Sequence, residues 1–213
     1  MAELNKRIIT SFSLLVALYL SIINIYILTI ISLLVYIETF YEIFNILKNI
    51  YKKKIKLYIL VFFSNIYLLC LILYIWTILV LNLEDEKLYL LIYITISISS
   101  DIGGYIFGNI FKGKKLTKIS PKKTYSGMIG SYLLSFIITY LLFHNFTSIK
   151  TLLLICLLIS TINQLGDLFI SLLKRKAKIK DTGKILPGHG GLLDRFDGII
   201  FAIPFGVIIT KII

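Results

Sequence analysis

Proline and cysteine are scarce in this sequence, which has three prolines and two cysteines among its 213 residues. Linkers rich in proline, glycine and serine are absent, as are low-complexity tails and convincing internal repeats. Cys70 and Cys156 stand far apart inside apolar runs, and neither has a histidine or cysteine neighbour at metal-ligand spacing. We therefore interpret both cysteines as apolar filling and predict a single domain, 1–213, without a separate soluble module.

Apolar residues are abundant instead. They make up 58% of the chain, and the mean hydropathy is +0.90, which is too apolar for a soluble domain with one ordinary core. The runs are continuously apolar and about 20 residues long, so they predict membrane-spanning helices rather than the alternating strands of a barrel. The predicted class is an all-α, polytopic membrane protein with about seven transmembrane helices, at 8–26, 27–47, 57–82, 88–111, 127–145, 149–172 and 197–213.

The amino-terminal region has one feature of a signal peptide, because Lys6 and Arg7 precede an apolar run. A cleavage pattern of small residues does not follow, so we expect a retained first span.

Positive charge is concentrated on one side of the predicted membrane. Alternating spans place the amino terminus and the loops 48–56, 112–126 and 173–196 together, and these hold 20 of the 23 lysines and arginines. By the positive-inside rule this side is cytoplasmic. The net charge of +12 thus follows largely from topology, and without a soluble module to present it we exclude nucleic-acid binding.

Acidic residues inside apolar spans are functional candidates, because an unpaired carboxylate in hydrocarbon is costly. Glu38, Asp101 and Asp167 fit that description. Glu38 lies near the end of its span and is assigned a structural role. Asp101 precedes Gly103, Gly104 and Gly108, which permit close approach of a ligand or, equally, of another helix.

The loop before the fifth predicted span contains the segment SPKKT, which combines two cations with two hydroxyl groups ahead of a helix start. Such a group suits phosphate oxygens, because lysine supplies charge and a helix amino terminus supplies N–H groups. A basic loop that only sets topology is the alternative interpretation. The candidate substrate-binding residues here are Ser120, Lys122, Lys123 and Thr124.

The last loop is more specific, since cations, acids and a glycine-rich turn occur together between 166 and 198. Backbone amides of the segment PGHGG can face an anion that nearby lysines and arginines neutralise. Asp194 and Asp197 are three residues apart at a predicted helix start and therefore share a face. Hard oxygen ligands on one face suit Mg²⁺, which typically adds water and substrate phosphates to one or two carboxylates. Ion pairing or helix capping is the alternative for each aspartate.

The spacing S-x-x-K-R-x(4)-K-D followed by P-G-H-G-G-x-x-D-R-x-D resembles the signature of the CTP:phosphatidate cytidylyltransferases. Upstream, GDLFIS, SPKKT and SDIGGYIFG resemble other blocks of that family in the expected order. The resemblance covers roughly 100–213. On this basis 1–86 would form amino-terminal helices, fewer than typical members have, and 87–213 would hold the catalytic helices and loops. After SPKKT the family usually has Trp-Glu-Gly, where this chain has Tyr125, Ser126 and Gly127.

The resemblance implies a magnesium-dependent transfer of CMP from CTP to phosphatidate, giving CDP-diacylglycerol and pyrophosphate, at the cytoplasmic face of a bacterial inner membrane. It also implies that Asp167 and Asp194 hold the metal, with a monovalent cation such as K⁺ left open. As a hypothesis beyond the resemblance, Asp181 and Asp197 orient the neighbouring cations or assist the metal. The expected catalytic residues are Asp167, Asp194, Lys174, Arg175, Arg195 and His189. Further expected substrate-binding residues are Lys180, Gly188, Gly190, Gly191 and Asp101.

Phosphatidate already carries an ionised phosphate, so no protein nucleophile or obligatory base is expected. His189 is accordingly interpreted as a phosphate or metal-shell contact, or as a residue that orders its loop. The expected partners are CTP, phosphatidate and membrane lipids, and a homodimer is left open. The alternatives are a related CTP-dependent lipid enzyme, of the CDP-archaeol synthase or polyprenol kinase type, and a transporter of an anionic solute.

Overall fold

The computed structural model describes residues 10, 12–14, 16–17, 19–21, 23–188 and 190–212. In this part of the chain the regular elements are all helices and no strand is formed. Two isolated β-bridges pair Lys115 with Thr124 and Leu186 with Gly190. The predicted all-α class is confirmed. The helices are α1 (Ile25–Ile50), α2 (Lys54–Val80), α3 (Glu84–Phe111), α4 (Tyr125–Phe143), α5 (Ile149–Lys176), α6 (Leu193–Phe196) and α7 (Ile199–Ile212).

Five of these helices, α1 to α5, are long and apolar enough to cross a membrane. They coincide with the predicted spans from 27–47 to 149–172. Helix α7 has only 14 residues, and at 1.5 Å per residue it is shorter than a hydrocarbon core of about 30 Å. The predicted span 8–26 runs across several residues outside the described part. The count of seven is therefore not confirmed.

The chain divides into two compact units. The first comprises Met1–Leu83 and Leu173–Phe196, and the second comprises Glu84–Leu172 and Asp197–Ile213. Helix α5 contributes to both, because the division falls near its carboxyl end.

In the first unit, helices α1 and α2 pack side by side. The Asn24 side chain begins α1 by accepting hydrogen bonds from the N–H groups of Tyr26 and Ile27, which would otherwise lack partners at a helix start. Between the helices, the Trp76 indole N–H donates to Thr29 Oγ1 at 3.1 Å. Large apolar side chains cover the outer surfaces of both helices, as expected for helices whose surroundings are lipid.

In the second unit, α3 and α4 approach closely through small residues. A Cβ added at Gly103 would collide with the Gly130 carbonyl and lie 2.9 Å from Leu134 Cβ. Gly104 likewise faces Gly127 and Ser131 across the same contact. The glycines after Asp101 therefore allow close helix packing, which is one of the two interpretations that the sequence left open.

Hydrogen bonds between helices complete the second unit. The Tyr93 and Thr210 hydroxyls lie 2.6 Å apart and join α3 to α7, while Ser100 and Ser160 lie 2.8 Å apart and join α3 to α5. These polar pairs, one buried and one partly buried, fix the positions of α3 and α5, the two helices whose aspartates line the pocket described next.

Candidate functional site

A polar pocket of about 280 Å³ lies within the second unit. It is walled by α3, by the start of α4, by α5 and by the loop that precedes α4. Every second-unit residue that the sequence predicted for substrate or metal binding lines this pocket, except Asp197: Asp101, Ser120, Lys122, Lys123, Thr124 and Asp167. The structure thus brings together the SPKKT loop and two intramembrane aspartates that are far apart in sequence.

The SPKKT loop is a tight turn. The Lys123 N–H donates to the Ser120 carbonyl at 3.1 Å, with Pro121 at the second position, where its fixed φ favours a turn. The loop is closed by the Leu116 N–H, which donates to the Lys123 carbonyl at 2.8 Å. Thr124 then caps α4, since its Oγ1 accepts a hydrogen bond from the Gly127 N–H at 3.1 Å. Thr124 therefore has a structural task besides lining the pocket.

Both pocket aspartates have defined partners. Lys123 Nζ lies 2.5 Å from Oδ2 of Asp167, and the Ser171 hydroxyl lies 3.3 Å from Oδ1 of the same carboxylate. Asp101, exposed to the pocket, accepts a hydrogen bond from the buried Asn163 amide at 2.7 Å. The pocket therefore presents two oriented carboxylates beside two lysines, an arrangement suited to phosphates and to a divalent cation.

The second group of predicted residues surrounds Asp194 in the first unit. Lys174 Nζ donates to Oδ1 of Asp194 at 2.7 Å. Oδ2 accepts from the N–H groups of Thr182 at 2.8 Å and Gly191 at 3.1 Å. Three donors thus converge on a carboxylate that is only 9% exposed.

These contacts determine the charge of Asp194. Burial by itself would raise the pKa of this carboxyl, but the Lys174 hydrogen bond, the two backbone N–H groups and the Lys174 charge together hold the pKa below its ordinary value of 3.8. Asp194 is consequently ionised at neutral pH, as a metal ligand or a partner for a cation must be.

The glycine-rich loop is shaped by its backbone. Gly188 and Gly190 have φ angles of +77° and +88°, a region in which side chains are strained. Leu186 and Gly190 exchange two backbone hydrogen bonds, of 3.0 and 3.1 Å, that close the turn. The predicted contact His189 lies outside the described residues, so its role stays a prediction.

The remaining predicted residues are less enclosed. Arg175, Lys180, Asp181 and Arg195 are exposed in the first unit. Asp197 belongs to the second unit, where its Oδ1 accepts the Gly198 N–H at 2.9 Å. Their assignments as phosphate or metal contacts stay predictions, as does the shared metal site of Asp167 and Asp194.

One acidic residue was missed by sequence reasoning. Glu42 on α1 is 1% exposed, and its carboxylate accepts hydrogen bonds from Thr182, Leu192 and Leu193. The rule that singled out Glu38, an acid within an apolar span, applies equally to Glu42 one turn later. What the sequence could not provide is its partners, which lie 140 to 151 residues further along the chain.

The acidic side chains suit magnesium better than a metal that needs three or more protein ligands. Within the described ranges, no group of three or more histidine, cysteine, aspartate or glutamate side chains is arranged to hold a metal. Mg²⁺ characteristically uses only one or two carboxylates and completes its shell with water and phosphate oxygens. The carboxylates of Asp101 and Asp167 in one polar pocket fit that chemistry.

The helices and the pocket define a polytopic membrane protein with a polar, charge-bearing cavity among its helices. The chain belongs to the Cytidylyltransferase family, whose model matches residues 8–213. This confirms the resemblance identified from the sequence motifs.

Curated relatives agree with this family. A phosphatidate cytidylyltransferase of Rickettsia prowazekii (strain Madrid E) is 46% identical over 131 residues, covering 57% of this chain and 58% of the relative. One of Staphylococcus haemolyticus (strain JCSC1435) is 45% identical over 125 residues, covering 57% and 48%. One of Bacillus subtilis (strain 168) is 41% identical over 130 residues, covering 58% and 48%. The chain therefore covers less than two thirds of the length of these relatives.

Proposed function

We propose that this protein is a phosphatidate cytidylyltransferase, which transfers CMP from CTP to phosphatidate and produces CDP-diacylglycerol and pyrophosphate. The observation that carries the proposal is the pocket in which Lys122, Lys123 and Ser120 face Asp101 and Asp167 among otherwise apolar helices. Membership of the Cytidylyltransferase family and the names of the relatives support the same reaction.

The reaction requires charge stabilisation more than acid or base chemistry. A phosphate oxygen of phosphatidate would attack the α-phosphorus of CTP, forming one P–O bond while the bond to the β-phosphate breaks and pyrophosphate leaves. Because the attacking phosphate is already ionised at neutral pH, no side chain must remove a proton from it. The protein's task is to align the two anions and to offset their charge.

The pocket residues can perform that task. Lys122 and Lys123 would contact phosphate oxygens, with Ser120 donating a hydrogen bond, while the Lys123–Asp167 ion pair keeps the lysine in place. Lys174, Arg175, Lys180 and Arg195 are the proposed cations of the other unit. Diacyl chains would stay in the bilayer, since the surrounding helices expose apolar side chains.

Magnesium is the proposed cofactor. Asp167 and Asp194 are the ligands that the family resemblance implies, and Asp101 lines the same pocket as Asp167. When bound, magnesium would supply positive charge to the phosphate oxygens. The lysines and the polar pocket lining would retain their own role of holding the substrates' anionic groups.

The proposed location is a bacterial inner membrane with the amino terminus and the basic loops in the cytoplasm, where CTP is available. The positive-inside distribution of lysine and arginine supports this orientation. It is tested by attaching a membrane-impermeant thiol reagent to a cysteine introduced at Lys118, which should react only after the inner membrane is opened.

The activity is tested by incubating the purified protein with labelled CTP, magnesium and a panel of lipids. CDP-diacylglycerol and pyrophosphate should form with phosphatidate and magnesium together and should not form when either is left out. Preference for an unsaturated archaeal ether lipid or for a polyprenol over phosphatidate would instead indicate a related CTP-dependent enzyme. A folded protein that turns over none of these lipids would contradict the proposal.

A further inference from the structure

The Glu42 carboxylate is buried on α1 and both of its oxygens have partners. Oε1 accepts a hydrogen bond from the Leu192 N–H at 2.8 Å. Oε2 accepts from the Leu193 N–H at 2.8 Å and from the Thr182 hydroxyl at 2.6 Å. A buried carboxylate is costly unless such donors compensate it, so this cluster of contacts has to form as a unit.

The donors to Glu42 belong to the same two segments that hold Asp194. Thr182 donates its hydroxyl to Glu42 and its backbone N–H to Asp194 Oδ2, the latter at 2.8 Å. The Gly191 N–H, adjacent to the Leu192 N–H that contacts Glu42, also donates to Asp194 Oδ2. Any movement of these segments away from Glu42 would therefore remove donors from Asp194.

Two glycines make this arrangement possible. A Cβ added at Gly183 would collide with Glu42 Oε1, and one added at Gly191 would collide with Thr182 Oγ1. Because neither residue has a side chain, both segments can close on the Glu42 carboxylate. The structure thus gives Gly191 a steric role in packing, and its predicted substrate-binding role stays a prediction.

We infer that Glu42 is a positioning residue for Asp194, acting through Thr182 and through the backbone of Gly191, Leu192 and Leu193. It is enclosed by protein, so it does not itself touch substrate. The consequence for catalysis rests on the function proposed above. The consequence for the order of the segments 182–183 and 191–194 does not.

The first test is independent of activity. Hydrogen–deuterium exchange should be measured on the purified full chain in detergent for the wild type, Glu42→Gln and Glu38→Gln. Glu42→Gln places an NH₂ group against an N–H or hydroxyl donor, so exchange should accelerate in peptides covering 182–193 and remain unchanged in peptides of α3 and α4. Glu38→Gln is the matched control, with the same substitution one turn earlier on α1, and should leave all these peptides at the wild-type rate.

The second test uses turnover. Removal of residues that orient a metal or catalytic ligand typically costs about 10- to 100-fold in activity, so Glu42→Gln should lower kcat by that factor with little change in KM for CTP. Thr182→Ser retains the donor to Glu42 and should be close to the wild type, whereas Thr182→Val should reproduce the loss. The two Thr182 variants test the positioning role of Glu42 even where Glu42→Gln does not fold.

Wild-type exchange in 182–193 for a folded Glu42→Gln protein would overturn the inference, as would equal turnover of Thr182→Val and Thr182→Ser. A purely structural role of this contact would lower the unfolding temperature of Thr182→Val but leave its kcat equal to that of Thr182→Ser. An inactive wild type would count against the proposed function alone, since the exchange experiment still supports or overturns the positioning role.

Discussion

Nζ of Lys123 lies 2.5 Å from Oδ2 of Asp167, so the SPKKT loop is fixed to helix α5 by an ion pair at the wall of the pocket. Both side chains are about one quarter exposed, 25% and 27%. The pair is therefore accessible to a ligand in the pocket and partly shielded from water, where its charges act more strongly than on an open surface.

Replacement of either partner should impair turnover. Lys123→Met removes a cation proposed to contact phosphate, and Asp167→Asn removes a proposed metal ligand, so each should lower kcat by about 100-fold or more. Because the two side chains act together, the double variant should lose less than the product of the two single losses. Steady-state CDP-diacylglycerol synthesis measures all three.

Lys118→Met provides the control for this comparison. Lys118 is an exposed lysine of the same loop that does not line the pocket, so its removal should leave kcat at the wild-type value. Fully multiplicative losses in the double variant would show that the two residues act independently.

The pH dependence of stability should report on Asp194. The pKa of this carboxyl is held below 3.8 in the folded protein, so the stabilisation from its contacts is fully present above that value and is lost as the pH falls through the folded pKa. The difference in unfolding temperature between the wild type and Asp194→Asn should be constant from neutral pH to about 4 and narrow below it. A difference that disappears already near neutral pH would contradict this assignment.

Adding a methyl group at the contact between α3 and α4 should destabilise the protein more at Gly103 than at Gly108. Gly103→Ala places Cβ against the Gly130 carbonyl, which is backbone and cannot move aside, and should destabilise the protein by about 1 to 3 kcal/mol. Gly108→Ala meets the Thr124 hydroxyl at 3.2 Å and should be milder, because a side chain can shift by a few tenths of an ångström. Unfolding of both variants in a detergent titration measures the difference, and equal losses would refute the packing argument.

The hydrogen bond between Tyr93 and Thr210 should contribute to stability without affecting turnover. Tyr93→Phe and Thr210→Val each remove one hydroxyl of a 2.6 Å pair and should each cost about 1 kcal/mol, a typical value for a hydrogen bond between membrane helices. The double variant should be no less stable than the less stable of the two single variants. Strictly additive losses would show that the two hydroxyls act on different partners.

The helices could be predicted from the sequence because long apolar runs have one common solution in a bilayer. The limits of α3, α4 and α5 fall within a few residues of the predicted spans 88–111, 127–145 and 149–172. The predicted last span, 197–213, contains helix α7, whose 14 residues are fewer than the roughly 20 that a membrane crossing needs, so this span stays a prediction.

The site was predictable in residue type and only partly in arrangement. Charges and glycines in one loop identified Asp194 and its neighbours, and an acid in an apolar span identified Asp101. The contact of Glu42 with Leu192 and the contact of Asp101 with Asn163 join segments far apart in the chain, and no local pattern encodes them. The capping role of Thr124, in contrast, is encoded locally, because a threonine just before a helix has the pattern of an amino-terminal cap.

The most direct measurement for the proposed function is the fate of a label at each phosphorus of CTP. With CTP labelled at the α-phosphorus, the label should enter lipid only when magnesium and phosphatidate are both present. With CTP labelled at the γ-phosphorus, the label should appear only in pyrophosphate. Label from the γ-phosphorus in lipid would indicate a kinase and would contradict the account, as would the absence of any transfer by the folded protein.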